Sequence, residues 1–337
     1  MLDLSVHDLM LAPLRDVSLS FERSTHTAIA GPPGAGASTL LRAIAGEAKP
    51  ERGEVRIGAR DVTNLSRKRR PLLYVTAEPD VPSRWSVEHA LVAAVRERTL
   101  DRIDRHREYE LAIDKWRLSS LLGLRLGALS TSERTLVHLA RIELLRPGLV
   151  IADRLLEALN PSIAAEVADE LHRTLRVIGA TLITAPATRL ELGLMDSVAV
   201  LEEGRIVQRG TPAEVYARPV SVAAAKATGE VNLIPVTVHG TTVESPIGAW
   251  EVAAPPFTGE GIALVRPGAF STVAKGEESD FVFGVEEASF RDGRWHARGF
   301  LTGATTLHVV LPGDTRVHKG KLLALRYDVA GFVLLER

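Results

Sequence analysis

Nine consecutive residues constrain this chain more than any others: Gly31, Pro32, Pro33, Gly34, Ala35, Gly36, Ala37, Ser38 and Thr39. The preceding run Thr27-Ala-Ile-Ala30 is short and apolar enough for a buried strand, and Leu40-Leu-Arg-Ala-Ile-Ala45 after it has helical spacing. A strand that turns through glycines into a helix is the setting of the phosphate-binding pattern G-x-x-x-x-G-K-[ST]. There the glycines let the backbone curl, N–H groups point inward, a lysine neutralises the outer phosphates and a hydroxyl holds magnesium. Gly31, Gly34 and Gly36 keep the curl and Ser38 keeps the hydroxyl, but Ala37 stands at the lysine position and offers only its backbone N–H. The helix N-terminus still attracts an anion. Taken alone, the stretch also reads as a glycine-rich turn in an ordinary α/β unit.

The surrounding pattern supports an α/β unit. Apolar runs at Leu72-Leu-Tyr-Val75, Leu149-Val-Ile-Ala152, Thr181-Leu-Ile-Thr184 and Val198-Ala-Val-Leu201 alternate with helical stretches, as in a mostly parallel sheet. Trp85 to Leu126 reads as largely helical, which suggests a helical subdomain over about residues 80–128. The run from Leu149 ends in Asp153, and a carboxylate at a strand's carboxyl end beside a phosphate loop is where magnesium is held, with Ser38 as the second ligand. Leu129, Ser130, Thr131, Ser132 and Glu133 mark a helix start with a serine cap. Residues 1–217 thus form the first domain. Residues 218–230, small and without strong period, read as a linker, and 231–337 as a small all-β barrel or sandwich of short β-branched runs between Gly and Pro turns.

Bulk properties exclude several classes. At 337 residues, 45% hydrophobic, the chain is long enough for two domains. A net charge of −1 gives no general attraction to nucleic acid, and Arg67-Lys-Arg-Arg70 reads as a solvated loop. The absence of cysteine removes disulfides and thiolate metal sites. No apolar run reaches the roughly 18 residues of a membrane span and Met1-Leu-Asp-Leu-Ser5 lacks a signal pattern, so a membrane role is expected to be peripheral. His7, His26, His106 and His138 lack metal-ligand spacing and read as surface or helix residues.

In order and spacing, residues 2 to 220 resemble the ATP-binding subunits of ABC transporters. Leu40-Leu-Arg-Ala-Ile-Ala-Gly46 looks like the family's stretch after its phosphate loop. Leu129-Ser130 with Leu139-Ala-Arg141 looks like the signature and its helix, Ala158-Leu-Asn-Pro161 like the D-loop, and Val198 through Pro212 like the final strand pair. Val231-Asn-Leu-Ile-Pro235 and Ala263-Leu-Val-Arg-Pro267 look like the TOBE extension of importer subunits for ferric iron, polyamines, sugars and molybdate. The resemblance implies a P-loop NTPase domain of the ABC type with a helical subdomain, followed by an OB-like domain. It also implies Mg-ATP or ADP as ligand, membrane-spanning permease subunits and a solute-binding protein as partners, and no nucleic acid. The chain would form a homodimer, or a heterodimer with an intact paralogue, on the cytoplasmic face of the membrane.

Against that family pattern the departures cluster. The lysine is Ala37, the magnesium-sensing glutamine Ala77, and the signature's glycines and glutamine are Thr131, Ser132 and Glu133. The water-polarising glutamate is Arg154, the switch histidine Pro186 and the D-loop aspartate Asn160, and Leu9-Met-Leu-Ala-Pro13 lacks an aromatic platform for adenine. Losing the lysine's charge-assisted hydrogen bond costs roughly 1.5–3 kcal/mol, whereas losing a positioned base costs about 10²- to 10⁴-fold in rate. Arginine stays protonated and cannot be that base. The resemblance with these departures implies an importer subunit that binds nucleotide and hydrolyses it weakly or not at all. The alternatives are a non-catalytic regulatory or anion-sensing protein on the same scaffold and an active ATPase with atypical residues. For Arg154 the nearest expected partner is Asp153, a pairing that would block magnesium. The other reading has Arg154 holding phosphate oxygens itself.

Overall fold

The computed structural model describes residues 3–77, 81–273, 277–301 and 305–337. Two compact units divide the chain, Met1–Pro212 and Ala213–Arg337.

The first unit contains strands β1 (Leu4–Leu11), β2 (Leu14–Phe21), β3 (His26–Ala30), β4 (Arg52–Ile57), β5 (Arg60–Asp61), β6 (Leu73–Thr76), β7 (Leu149–Asp153), β8 (Thr181–Ala185), β9 (Ser197–Glu202) and β10 (Arg205–Gly210). Its helices are α1 (Ala37–Ala45), α2 (Val87–Arg96), α3 (Arg102–Lys115), α4 (Thr131–Leu145), α5 (Pro161–Ile178) and α6 (Arg189–Leu192). Six strands form one sheet in the order β10-β9-β3-β8-β7-β6, parallel except for β10. Such a sheet is covered on both faces, so its strands are continuous apolar runs. Along β7, Leu149 and Ile151 enter one core with Leu40, Leu41 and Ile44 of α1, whereas Val150 and Ala152 enter the other with Leu139 of α4 and Leu171 of α5. These strands and α1 lie where the apolar runs suggested.

A four-stranded antiparallel sheet, β2-β1-β4-β5, supplies the rest of the first core. Its signal is alternation: in β2, Leu14, Val17, Leu19 and Phe21 are buried between exposed neighbours. The basic run contains a buried residue as well. Arg70 is only 5% exposed, and its guanidinium donates to the carbonyls of Ala43, Ile44, Leu65 and Thr63. It thereby satisfies the open carbonyl end of α1, which corrects the solvated-loop expectation at that position. The helical stretch resolves into α2, α3 and short 3-10 turns, and the proposed start of the subdomain at residue 80 lies outside the described residues.

In the second unit, α7 (Pro212–Ala217) and α8 (Val222–Thr228) precede β11 (Asn232–His239), β12 (Thr242–Ser245), β13 (Gly248–Glu251), β14 (Gly259–Val265), β15 (Phe270–Thr272), β16 (Phe281–Arg291), β17 (Arg294–Phe300), β18 (Thr306–Pro312), β19 (Leu322–Tyr327) and β20 (Val333–Glu336). The stretch that reads as a linker therefore holds a helix. Ser221 caps α8 by accepting from Ala224 N. Arg266 packs 4.0 Å over the Tyr216 ring and donates to the carbonyls of Tyr216, Ala225 and Glu230, fixing the segment to this unit. Two antiparallel sheets, β13-β12-β11-β14-β20 and β15-β19-β16-β17-β18, share one apolar core around Ile234, Val236, Phe283, Val285 and Val309.

Candidate nucleotide site

The carboxyl ends of neighbouring parallel strands bring the phosphate loop and three of the substituted positions together. The loop leaves β3. Pro186 follows β8, Arg154 follows β7 and Ala77 follows β6, with Thr76, Asp153 and Ala185 in register. Crevices at this edge are where open α/β sheets bind ligands.

Backbone geometry makes the loop. Gly36 caps α1 with φ of 112°, a conformation that favours glycine. A Cβ on Gly31 would lie 2.1 Å from the Leu201 carbonyl oxygen, so only glycine lets the loop pass β9 that closely. The loop closes on itself through Ala35 N donating to Pro32 O at 3.0 Å, and Leu40 N donates to Gly36 O at 2.8 Å as α1 begins. Space beside Gly34 is open. Ala37 is the first helical residue and, like Ser38 and Thr39, is partly exposed.

Ser38 Oγ donates to Asp153 Oδ1 at 2.8 Å. A hydroxyl and a carboxylate so placed are the hard oxygen donors that magnesium takes, so these residues fit a magnesium-bound phosphate even without the lysine.

Arg154 does not pair with Asp153. Its φ is +50°, and the guanidinium, 56% exposed, forms an ion pair with Glu157 at 2.6 Å. The expected block on magnesium is therefore absent, because Asp153 is engaged by Ser38 and Arg154 by a carboxylate three residues on. Glu157 carried no signal in the strand and motif pattern; only its i+3 spacing from Arg154 could have flagged it.

A buried carboxylate stabilises the turn after Pro186. Glu191 accepts from Ala187 N, Thr188 N and Thr188 Oγ1 at 3.0, 3.0 and 3.3 Å. Burial raises its pKa, while the bonds from Thr188 and Ala187 oppose that rise. The Thr188-x-x-Glu191 spacing is a capping-box signature that the sequence reading missed. Ala77, half-buried, offers no polar atom beyond its backbone, and the next residues, Glu78 and Pro79, lie outside the described residues.

At the other motif, Leu129 precedes a capping box at the head of α4. Ser130 Oγ accepts from Glu133 N, and the Glu133 carboxylate accepts from Ser130 N at 2.7 Å and from its hydroxyl at 2.7 Å. The bonds from Ser130 hold the Glu133 carboxyl below the usual carboxylate range. A negative group thus occupies the helix terminus that would otherwise face an anion. Thr131 begins the helix, and Ser132 Oγ donates to Ala158 O at 2.7 Å, joining the head of α4 to the segment before Asn160. Asn160 O accepts from the backbone N–H groups of Ile163 and Ala164 as α5 starts. Among the described residues, no hydrogen bond or ion pair joins Ser130–Glu133 to the Gly31–Thr39 loop.

Two histidines read as surface or helix residues are buried. His26 lies in β3 and its Nδ1 is 2.7 Å from His172 Nδ1 of α5, while His138 lies inside α4 with both ring nitrogens unpartnered. Both are depressed to about 3, chiefly by burial.

Residues 14–156 match the ABC transporter family. The strand–loop–helix, Asp153 and the α4 cap all fall within that span. The chain belongs to the ABC transporter ATP-binding family. A ferric-ion import ATP-binding protein of Streptomyces coelicolor is 29% identical over 96% of this chain and 93% of its own length. A sulfate/thiosulfate import ATP-binding protein of Chromobacterium violaceum is 32% identical, the match covering 70% of this chain and 66% of that protein. In fold, the chain resembles cbiO1 of Clostridium perfringens, part of an ABC transporter complex, with a TM-score of 0.55, 25% identity, and coverage of 64% of this chain and 90% of that one. An ATP-binding cassette of an ABC transporter in its ADP conformation gives a TM-score of 0.54 at 22% identity, covering 65% and 96% of the two chains. The fold is that of a P-loop NTPase cassette followed by an all-β domain.

Proposed function

We propose that this chain is the ATP-binding subunit of an ABC importer that binds magnesium nucleotide but hydrolyses it weakly or not at all. The observation that carries this reading is the division of labour after β7: Asp153 stays with Ser38, as metal binding needs, while the next residue is an arginine turned toward Glu157. Binding keeps the curled backbone, the α1 terminus and the oxygen pair. Hydrolysis lacks a base at Arg154, a hydrogen-bonding side chain at Ala77 and an imidazole at Pro186.

Importer function is supported by the relatives, whose names include ferric-ion, sulfate/thiosulfate and spermidine/putrescine import ATP-binding proteins. Their cargoes differ. By the same relationship the partners are membrane-spanning permease subunits and a solute-binding protein, with the chain peripheral on the cytoplasmic face. Residues 1–217 are the ATP-binding domain and 231–337 a TOBE-like domain. Pairing with an intact paralogue would place Glu133 near the paralogue's phosphates, where its charge is unfavourable. Two defective sites would result from a homodimer.

Calorimetric titration with Mg-ATP and a phosphate-release assay test the proposal on wild type and on an Ala37→Lys, Arg154→Glu double variant. The expected outcome is measurable binding with little release by the wild type, and tighter binding by the double variant. Turnover by the unmodified chain at the rate of an ordinary transporter subunit would refute it. Arg154→Ala should leave affinity unchanged, because Arg154 is paired with Glu157; a tenfold loss would return Arg154 to the phosphates.

A further inference from the structure

A cleft of about 680 Å³ in the second unit contains a histidine pair. His296 of β17 and His308 of β18 lie on the same sheet face, since Arg298, two residues beyond His296, is the cross-strand partner of His308. His296 Nδ1 and His308 Nε2 are 3.3 Å apart.

Two nitrogens sharing a tetrahedral ion at 2.0–2.1 Å are separated by about 3.3–3.4 Å, the edge of the tetrahedron. The observed spacing matches that edge and is also that of a long hydrogen bond between two imidazoles. The far nitrogen of His308, Nδ1, is paired with the Glu230 carboxylate. A histidine whose other ring nitrogen donates to a carboxylate has its tautomer fixed and its ligand nitrogen made more basic, the usual support of a metal-binding imidazole. His308 is held through its backbone as well: the side chain of Asn232, itself buried, donates from Nδ2 to His308 O at 2.8 Å and accepts from His308 N at 2.7 Å.

We propose that His296 Nδ1 and His308 Nε2 are ligands of a divalent transition ion of the zinc, nickel, cobalt or copper class, with Glu230 orienting His308. Among the described residues no third histidine or carboxylate completes a closed set, so the remaining positions belong to water or an exogenous anion. Arg298 and Lys319 line the same cleft and favour an anion on those positions, while Glu286 and Glu287 balance their charge toward the metal. His318, also on the rim, directs Nδ1 to the Lys319 carbonyl at 3.1 Å and is not part of the pair. The site is independent of nucleotide chemistry.

The test uses the full chain stripped with a chelator. Calorimetry with zinc chloride at neutral pH is expected to give one tight equivalent per chain, and cobalt(II) should develop a visible absorption band. His296→Ala and His308→Ala should each weaken that equivalent at least tenfold and abolish the band, whereas His318→Ala should leave both unchanged. Glu230→Gln, which spares both ligands and the fold, should weaken binding by about 10- to 100-fold. Zinc affinity identical in wild type, His296→Ala and Glu230→Gln would overturn the proposal and leave the pair as hydrogen-bonded imidazoles, as would the absence of a stoichiometric equivalent in the wild type.

Discussion

His138 should make the first unit sensitive to acid, and the size of the effect follows from its surroundings. The ring is 3% exposed inside α4, neither nitrogen has a hydrogen-bond partner, and Arg141 adds positive charge nearby. Burial first, then Arg141, lowers its pKa from 6.5 to about 3. Between those two values the unfolded chain binds a proton that the folded chain refuses. Stability from this group is therefore complete above about pH 6.5 and is lost as pH falls. Linkage at pH 5 gives a loss of about 2 kcal/mol relative to pH 7.5, an upper figure if water reaches the ring. His26 and His172, depressed to about 3 and about 4, act in the same direction. Because they are neighbours, the clean measurement is a difference on His138 alone. Urea unfolding, followed by the fluorescence of Trp116 beside α4, should be recorded at both pH values for wild type and His138→Leu. The wild type should lose about 2 kcal/mol more than the variant between the two conditions. Equal losses would refute the reasoning, since they would mean that the buried ring titrates as it does in water.

Other perturbations test the site and its supports. Gly31→Ala places a methyl 2.1 Å from the Leu201 carbonyl oxygen, which should cost about 1–3 kcal/mol in urea unfolding and weaken nucleotide binding as the loop shifts. Ser38→Ala removes one hydrogen bond to Asp153, a loss of about 1 kcal/mol of stability. Its larger effect should be on ligand binding, with calorimetric affinity for ATP no longer raised by magnesium. Arg70→Met leaves the carbonyls of Ala43, Ile44, Leu65 and Thr63 without their donor and should lower unfolding stability by at least about 2 kcal/mol. An unchanged denaturation midpoint would show that water replaces the guanidinium.

Local pattern in the sequence determined the parallel strands, the glycine loop, the capped start of α4 and the family, because apolar periodicity and glycine spacing are properties of neighbouring residues. The family resemblance assigned Ala37, Ala77, Arg154 and Pro186 to positions of one site, and the last three follow the carboxyl ends of the neighbouring strands β6, β7 and β8. The antiparallel sheet was written there too, as the alternation in β2, but it stood beside a stronger phosphate-loop signal. What the sequence left open is which charged and polar groups meet. Asp153 is the nearest carboxylate to Arg154 along the chain, yet a left-handed backbone at Arg154 and a carboxylate at Glu157 decide the pairing otherwise. Arg70 looked solvated because its partners are carbonyls at the end of α1, which no residue type announces. His26 of β3 meets His172 of α5 across 146 residues, and Glu230, ahead of β11, meets His308 of β18 across 78, through tertiary packing. The segment 218–230 shows why composition was insufficient: its small residues permit a helix or a coil, and the Ser221 cap, the burial of Ala224 and Ala225, and the Arg266 side chain brought in from the end of β14 together fix α8 in place. Ion pairs, buried rings and carbonyl clamps depend on three-dimensional proximity, and only the tertiary structure supplies it.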